Sequence, residues 1–351
     1  MRSEVAFLMS EGADASLERI FSEGEAWIST VIGEGWDSFS LNDWGESVRE
    51  LLSMALADTL SFFALMMGAG ILCTLLSLFF EGASSEQVPL ASGVSLTVEL
   101  ALLCAVATAL FPHIETALRA VRSVSDFCEG LLPVFVSTNL LSGMEKSAVT
   151  TASAFGILLT LVEEGIEKIA LPSLALLLSA SLIPSSTGTV LSLGDKLHKF
   201  YISTLTLFSV VLSTAFALQN AITVGADRAM LRALRYGVGS MIPIVGQTVA
   251  GTLSALSGGV LYVKSTLGVG AFLSLLAIAL PPLVRLLLCR LALSLPAMLV
   301  GALSEGSDAA FGRVYRTVRH LVDVTLALVA LCVALFLFVV ILFMKSTVSL
   351  V

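Results

Sequence analysis

Hydrophobic positions in this chain come in long unbroken blocks rather than in alternation. Six stretches of 20 or more residues contain no Asp, Glu, Lys or Arg: 59–80, 169–194, 200–226, 236–263, 265–284 and 324–344. About 20 apolar residues in a helix span the roughly 30 Å hydrocarbon layer of a bilayer, so each block predicts a crossing helix. Four shorter uncharged runs, 100–114, 130–144, 147–162 and 291–304, have a length at which a crossing helix, a buried helix and a re-entrant segment look alike. The pattern predicts an all-α, polytopic membrane protein with six to eight crossings.

Composition sharpens this picture. Of 351 residues, 56% are hydrophobic and 13% charged, about half the charge of an ordinary soluble domain, which excludes a soluble enzyme. Residues 1–50 hold 11 acidic and 3 basic side chains, so the formal charge of −8 resides there and the other 301 residues balance. Such an acidic head repels nucleic acid and anionic lipid surfaces, so neither is expected as its partner. Residues 1–57 read as a separate helical amino-terminal region, with all three tryptophans (Trp27, Trp36, Trp44) and a helical stripe of Trp44, Val48, Leu51, Leu52 and Leu56. That stripe needs the membrane domain (58–351), the lipid interface or another subunit to cover it. The apolar stretch at 3–10 is too short for a signal-peptide core, so no cleaved leader is expected. Cys73, Cys104, Cys128, Cys289 and Cys332 are widely spaced without a CxxC and read as buried small side chains rather than disulfides or metal ligands.

Beyond residue 59 the chain repeats itself loosely. Leu118-Arg-Ala-Val-Arg122 followed by Gly130-Leu-Leu-Pro133 resembles Leu231-Arg-Ala-Leu-Arg235 followed by Gly239 and Ile242-Pro243-Ile244. Downstream, Leu171-Pro172 corresponds to Leu280-Pro281-Pro282 at a similar offset. The expectation is two related halves, about 92–190 and 200–288, with Gly/Pro-broken, re-entrant segments around Pro133 and Pro243; broken backbone at membrane depth is tolerated only where protein or water covers it. Placing Arg119/Arg122, Arg228/Arg232/Arg235 and Arg313/Arg316/Arg319 all on the cytoplasmic side requires an even number of crossings between them. Helices at 169–190, 200–220, 266–284 and 286–304 satisfy that count.

Chemistry-bearing residues are few. Ionisable candidates in apolar surroundings are Glu99, Glu163, Glu164 and Glu167 with Lys168, Lys264, Arg285 and Asp323. Glu99 is the acidic group deepest within an apolar run and reads either as a helix–helix hydrogen bond or as a proton-coupling group. The three glutamates with Lys168 read as a solvated loop or helix end. His113 is expected at a helix end, and His198 and His320 in basic loops. HExxH, GxxxxGK(S/T) and GxSxG are missing from the sequence, so no catalytic residue, cofactor or metal is expected. Glycines cluster around Pro243, where small residues allow close helix packing or free backbone to line a path. The candidate conduit or gate positions are Gly130, Pro133, Gly239, Pro243, Gly246, Gly258, Lys264 and Gly268.

Residues 226–246, Ala226-Asp-Arg-Ala-Met-Leu-Arg-Ala-Leu-Arg-Tyr-Gly-Val-Gly-Ser-Met-Ile-Pro-Ile-Val-Gly246, continuing to Gly258-Gly-Val-Leu-Tyr-Val-Lys-Ser-Thr-Leu-Gly-Val-Gly270, resemble the stage III sporulation protein AE family of endospore-forming Firmicutes. The Gly130–Pro133 element, the Leu280-Pro281-Pro282 helix with Arg285 and Arg290, and the apolar last helix follow the same order, so the likeness extends over 45–344. The resemblance implies a multi-pass subunit in the mother-cell membrane around the forespore, acting as scaffold or conduit of a secretion-like channel. Implied partners are other proteins of the stage III sporulation operon, including a cytoplasmic ATPase and ring-forming subunits, and the forespore's stage II sporulation protein Q, reached directly or through them. Two features depart from the family: a signal-like apolar start is missing, and Gln247 to Ser254 carries no acidic residue. The competing reading is an autonomous secondary transporter, with a small solute bound at the broken helices and Glu99 coupled to protons.

Overall fold

The computed structural model describes residues 49, 53, 56, 57, 59–72, 75, 88–182, 189–241, 246–303 and 309–348. The acidic head with its tryptophans, Cys73, and Ile242 to Val245 with Pro243 lie outside these. The described residues form helices α1 (Thr59–Leu72), α2 (Val88–Leu141), α3 (Glu145–Gly165), α4 (Leu171–Leu182), α5 (Thr189–Met241), α6 (Gly246–Leu303) and α7 (Ala309–Val348). A single π-helical turn, Ile166–Ala170, joins α3 to α4 without a break, the Leu171 N–H donating to the Ile166 carbonyl. No strand occurs among the described residues. Four helical stretches are long and apolar enough to cross a membrane: Glu145–Gly165, Gly194–Ala233, Gly258–Ser294 and Val314–Lys345. The all-α, polytopic membrane class expected from the sequence is the one observed.

Side-chain contacts fix the direction of each helix. Near the end of α7, Phe343 stacks on Phe135 of α2 at 4.2 Å between ring centroids, Lys264 of α6 sits 4.7 Å over the Phe343 ring, and Asn220 of α5 reaches the Leu342 carbonyl at 3.5 Å. Near its start, α7 meets Asp195 of α5 and Arg290 of α6. Helices α2, α5 and α7 therefore run one way, and α3–α4 and α6 run the other. The bundle has a Lys264 end and a histidine end. Asp323 and Phe343 are about 30 Å apart along α7 at 1.5 Å per residue, close to the thickness of the hydrocarbon layer.

Helix α7 is the centre, packed against α2, α3, α4, α5 and α6. Its buried row, including Val322, Val329, Phe336 and Phe343, faces Val106, Leu110, Val121 and Phe135 of α2 and Leu275, Leu286 and Leu293 of α6. Lipid is as apolar as these side chains, so close packing rather than water exclusion holds such helices together. Small residues at the contacts serve that: Ala117, Ala120, Ala271 and Ala279 are buried, and a Cβ on Gly268 would collide with the Met344 side chain. Helix α5 is peripheral. Only 6% of its spanning window is buried, against 39–50% for the other three spans.

Several local expectations change. Pro112 and Pro133 lie inside the continuous α2, so His113 is mid-helix, edge-on to Phe62 of α1, and Pro133 marks no break. Pro281 and Pro282 lie inside α6, which makes one helix of the two expected at 266–284 and 286–304. The arginine clusters consequently do not share a side. Arg228 and Arg232 lie beyond Asp227 at the Lys264 end, while Arg316 and Arg319 lie at the histidine end, because α6 crosses once where two crossings were counted.

Candidate functional site

Polar side chains gather at both ends of the bundle. At the Lys264 end, α2 stops at a turn that only glycine enters easily. Gly143 has φ 74°; its N–H donates to the Leu140 carbonyl at 2.9 Å, and the Met144 N–H donates to the Asn139 carbonyl at 3.0 Å. This is the paired hydrogen-bond pattern of a Schellman stop. It reverses the chain so that α3 begins one turn later.

The first turn of α3 leaves backbone N–H groups without helical acceptors, and no side chain of α3's own cap position accepts from them. Asp227, far away in sequence on α5, supplies the acceptor. Its Oδ2 accepts from the Ser147 N–H at 2.7 Å and the Ser147 hydroxyl at 2.6 Å, and its Oδ1 from the Lys146 N–H at 3.2 Å. The carboxylate is 2% exposed, and negative charge at a helix amino terminus is stabilised by the helix dipole. Asn139 donates to Thr151 Oγ1 at 3.1 Å across the same turn. Lys264, fully buried on α6, interacts electrostatically with Asp227 and with Arg228. Helices α2, α3, α5, α6 and α7 thus meet around one buried carboxylate, one buried ammonium and the Phe135–Phe343 stack.

At the histidine end, His198 of α5 and His320 of α7 stack at 4.2 Å with planes 25° apart. His320 Nε2 shares a hydrogen bond with Asp195 at 2.8 Å. Arg290 of α6 pairs with Asp323 of α7 at 2.8 Å, and Arg319 and His198 approach the same carboxylate at 3.8 and 4.0 Å. Arg316 approaches Asp195 at 3.9 Å. Both histidines are within helices and partly buried, not in the solvated loops expected for them. Two aspartates thereby link α5, α6 and α7.

Between the ends, a groove of about 850 Å³ runs along α3 and the π turn, with α5 as its other wall and α7 beneath. Ile157, Leu161, Ile169, Leu205, Phe208 and Leu328 are among its lining residues, and Glu164 and Lys168, paired with each other along the helix, stand at its rim. Glu163, Glu164 and Lys168 are exposed but belong to continuous helix and π turn rather than to a loop.

Of the positions singled out from sequence, the structure brings Lys264 and Gly268 to the Lys264 end, beneath Phe343 and Met344. Gly130 and Pro133 lie on the exposed side of α2. Gly258 is exposed on α6 with open space around a would-be Cβ. Gly239 falls in α5, Gly246 opens α6, and Glu99 lies in the first quarter of α2; Pro243 lies outside the described residues. Asp227, Ser147, Asn139 and Gly143 escaped the sequence reading. The available signals were an Asp inside a basic cluster and a Ser-Gly pair closing an uncharged run. Among the described residues no group of three His, Cys, Asp or Glu converges as a metal site.

The family model for stage III sporulation protein AE matches residues 23–347. Stage III sporulation protein AE of Bacillus subtilis (strain 168) is 23% identical over 278 residues, which cover 78% of this chain and 68% of that relative. No solved structure matches significantly. Helical, membrane-spanning and matched over nearly its whole length, the chain belongs to the stage III sporulation protein AE family of sporulation proteins.

Proposed function

We propose that this protein is an integral subunit of a secretion-like channel between mother cell and forespore, acting as scaffold or conduit through assembly rather than catalysis. One observation carries the scaffold role: polar side chains at both ends tie helices of the same bundle to one another. Asp227 caps α3 from α5, Asp195 holds His320, and Asp323 holds Arg290. A solute transporter instead needs polar groups converging on a pocket, and the groove along α3 is walled mainly by apolar side chains, with Glu164 and Lys168 at its rim paired with each other. Family membership supplies the sporulation context. In this reading the protein resides in the mother-cell membrane around the forespore. Its partners are the other stage III operon proteins, among them a cytoplasmic ATPase and ring-forming subunits, with stage II sporulation protein Q on the forespore side.

A fluorescent fusion in sporulating cells tests this. The expected result is concentration in the engulfing mother-cell membrane, dispersed when the forespore-side partner is deleted. Uniform signal in vegetative membranes, indifferent to that deletion, overturns it. The transporter alternative is tested separately by solute uptake into vesicles holding this protein alone; uptake abolished by Glu99→Gln would establish it in place of the channel subunit.

A further inference from the structure

The bundle has two unlike outer faces at the same depth. On α5 the exposed residues include Phe200, Leu207, Val211, Leu218 and Ile222, a face suited to lipid. On α2 the outward stripe is Glu115, Arg119, Arg122, Asp126 and Glu129, spaced by three or four residues so that all share one side of the helix. The opposite side of the same stretch is the buried row Ala117, Val121, Val124 and Cys128. Beyond the charged stretch the same side carries Thr108 and Phe111 before it and Pro133 and Ser137 after it, and the two hydroxyls are satisfied by carbonyls of α2 itself.

Depth is set by the packing partners. Phe135 stacks on Phe343, and the stripe lies 6 to 20 residues before Phe135, about 9 to 30 Å toward the histidine end. Alongside it on α7 runs the uncharged segment 324–344, which belongs in the hydrocarbon layer. Charged side chains at that depth face a protein interior or water, not acyl chains. The stripe points out of the bundle and carries both signs, three carboxylates and two guanidiniums, with Glu115 and Arg119 approaching at 3.5 Å along the helix. Mixed, partly self-paired charge suits water better than a partner of single sign.

We infer that the polar face of α2 walls a water-filled passage through the membrane, while α5 faces lipid. This rests on the conduit reading above and deepens it by naming the wall. A single helix face encloses nothing, so further subunits complete the passage.

The test is cysteine reactivity in membrane vesicles from sporulating cells that hold the whole partner set. The background is Cys104→Ser, because Cys104 is itself exposed on α2. Arg122→Cys and Asp126→Cys are compared with Leu207→Cys, placed at the same depth on α5 by the Asn220–Leu342 and Asp195–His320 contacts. A charged methanethiosulfonate reagent is expected to modify positions 122 and 126 at least tenfold faster than position 207. A smaller ratio overturns the inference. Should Arg122→Cys fail to accumulate, Glu115→Cys and Glu129→Cys report from the ends of the stripe. A failed localisation test would remove the sporulation-channel reading and leave this rate ratio standing; a flat ratio would remove the passage wall and leave the localisation standing.

Discussion

Asp227 is one carboxylate with three donors on another helix, and its burial makes each of them matter. Removing the acceptor leaves the Lys146 and Ser147 N–H groups and the Ser147 hydroxyl without it, at roughly 1–3 kcal/mol for each buried group that finds no replacement. Asp227→Ala should therefore lower the unfolding midpoint of the purified protein in detergent clearly, and Asp227→Asn less, because an amide oxygen still caps a helix start. Unchanged midpoints in thermal scans of both variants would show that the cap contributes nothing. Glycines separate in the same way. Gly143→Ala forces a side chain into left-handed backbone, at about 1–2 kcal/mol, and toward Leu231 Cδ2 at 3.2 Å. Gly130→Ala, helical with open space around it, should leave stability unchanged or raise it by up to about 1 kcal/mol. A loss of spore formation in Gly130→Ala with undiminished thermal stability would then report on function rather than folding. Lys264 was legible in sequence as a lone charge in an apolar run; Asp227 was not, because an Asp beside arginines looks like solvated surface until the fold places it over a helix start.

Elements were legible where charge delimits apolar blocks, and less so where it interrupts them. The last block, 324–344, became the spanning part of α7, flanked by Asp323 and Lys345 as its boundaries suggested. Pro281-Pro282 and Arg285 read as a boundary, yet α6 runs through them. Proline removes a backbone donor but does not end a helix held by packing on both sides, and Ile278, Ala279 and Leu286 are buried around it. Charge pairing between elements cannot be read from spacing at all: Arg290 and Asp323 are 33 residues apart in the chain. Their geometry predicts a measurable coupling of α6 to α7. Arg290 is 46% exposed, so solvent screening limits the pair to about 1 kcal/mol. A double-mutant cycle with Arg290→Ala and Asp323→Ala should return a favourable coupling of that order. Zero coupling would show that packing alone, and not this ion pair, ties the two helices at the histidine end.

At the scale of the whole molecule, asymmetry between α2 and α5 has consequences for insertion as well as for reactivity. An apolar exposed face surrounded by lipid should reject charge, and a charged exposed face in water should tolerate its loss. Leu207→Arg places a guanidinium on the outer face of α5 at mid-depth, within a span of which 6% is buried. Such a charge near the bilayer centre costs at least roughly 2.5–3.5 kcal/mol. Arg122→Gln on α2 removes a charge from an exposed face that already carries both signs. The amount of protein extracted from membranes by detergent should therefore fall sharply for Leu207→Arg and stay near that of the unaltered chain for Arg122→Gln. If α2 instead bordered lipid, neutralising Arg122 would raise the yield; if α5 bordered water, Leu207→Arg would be harmless. The pair of yields thus assigns each face to its solvent, because hydrocarbon penalises charge whichever helix presents it and water does not.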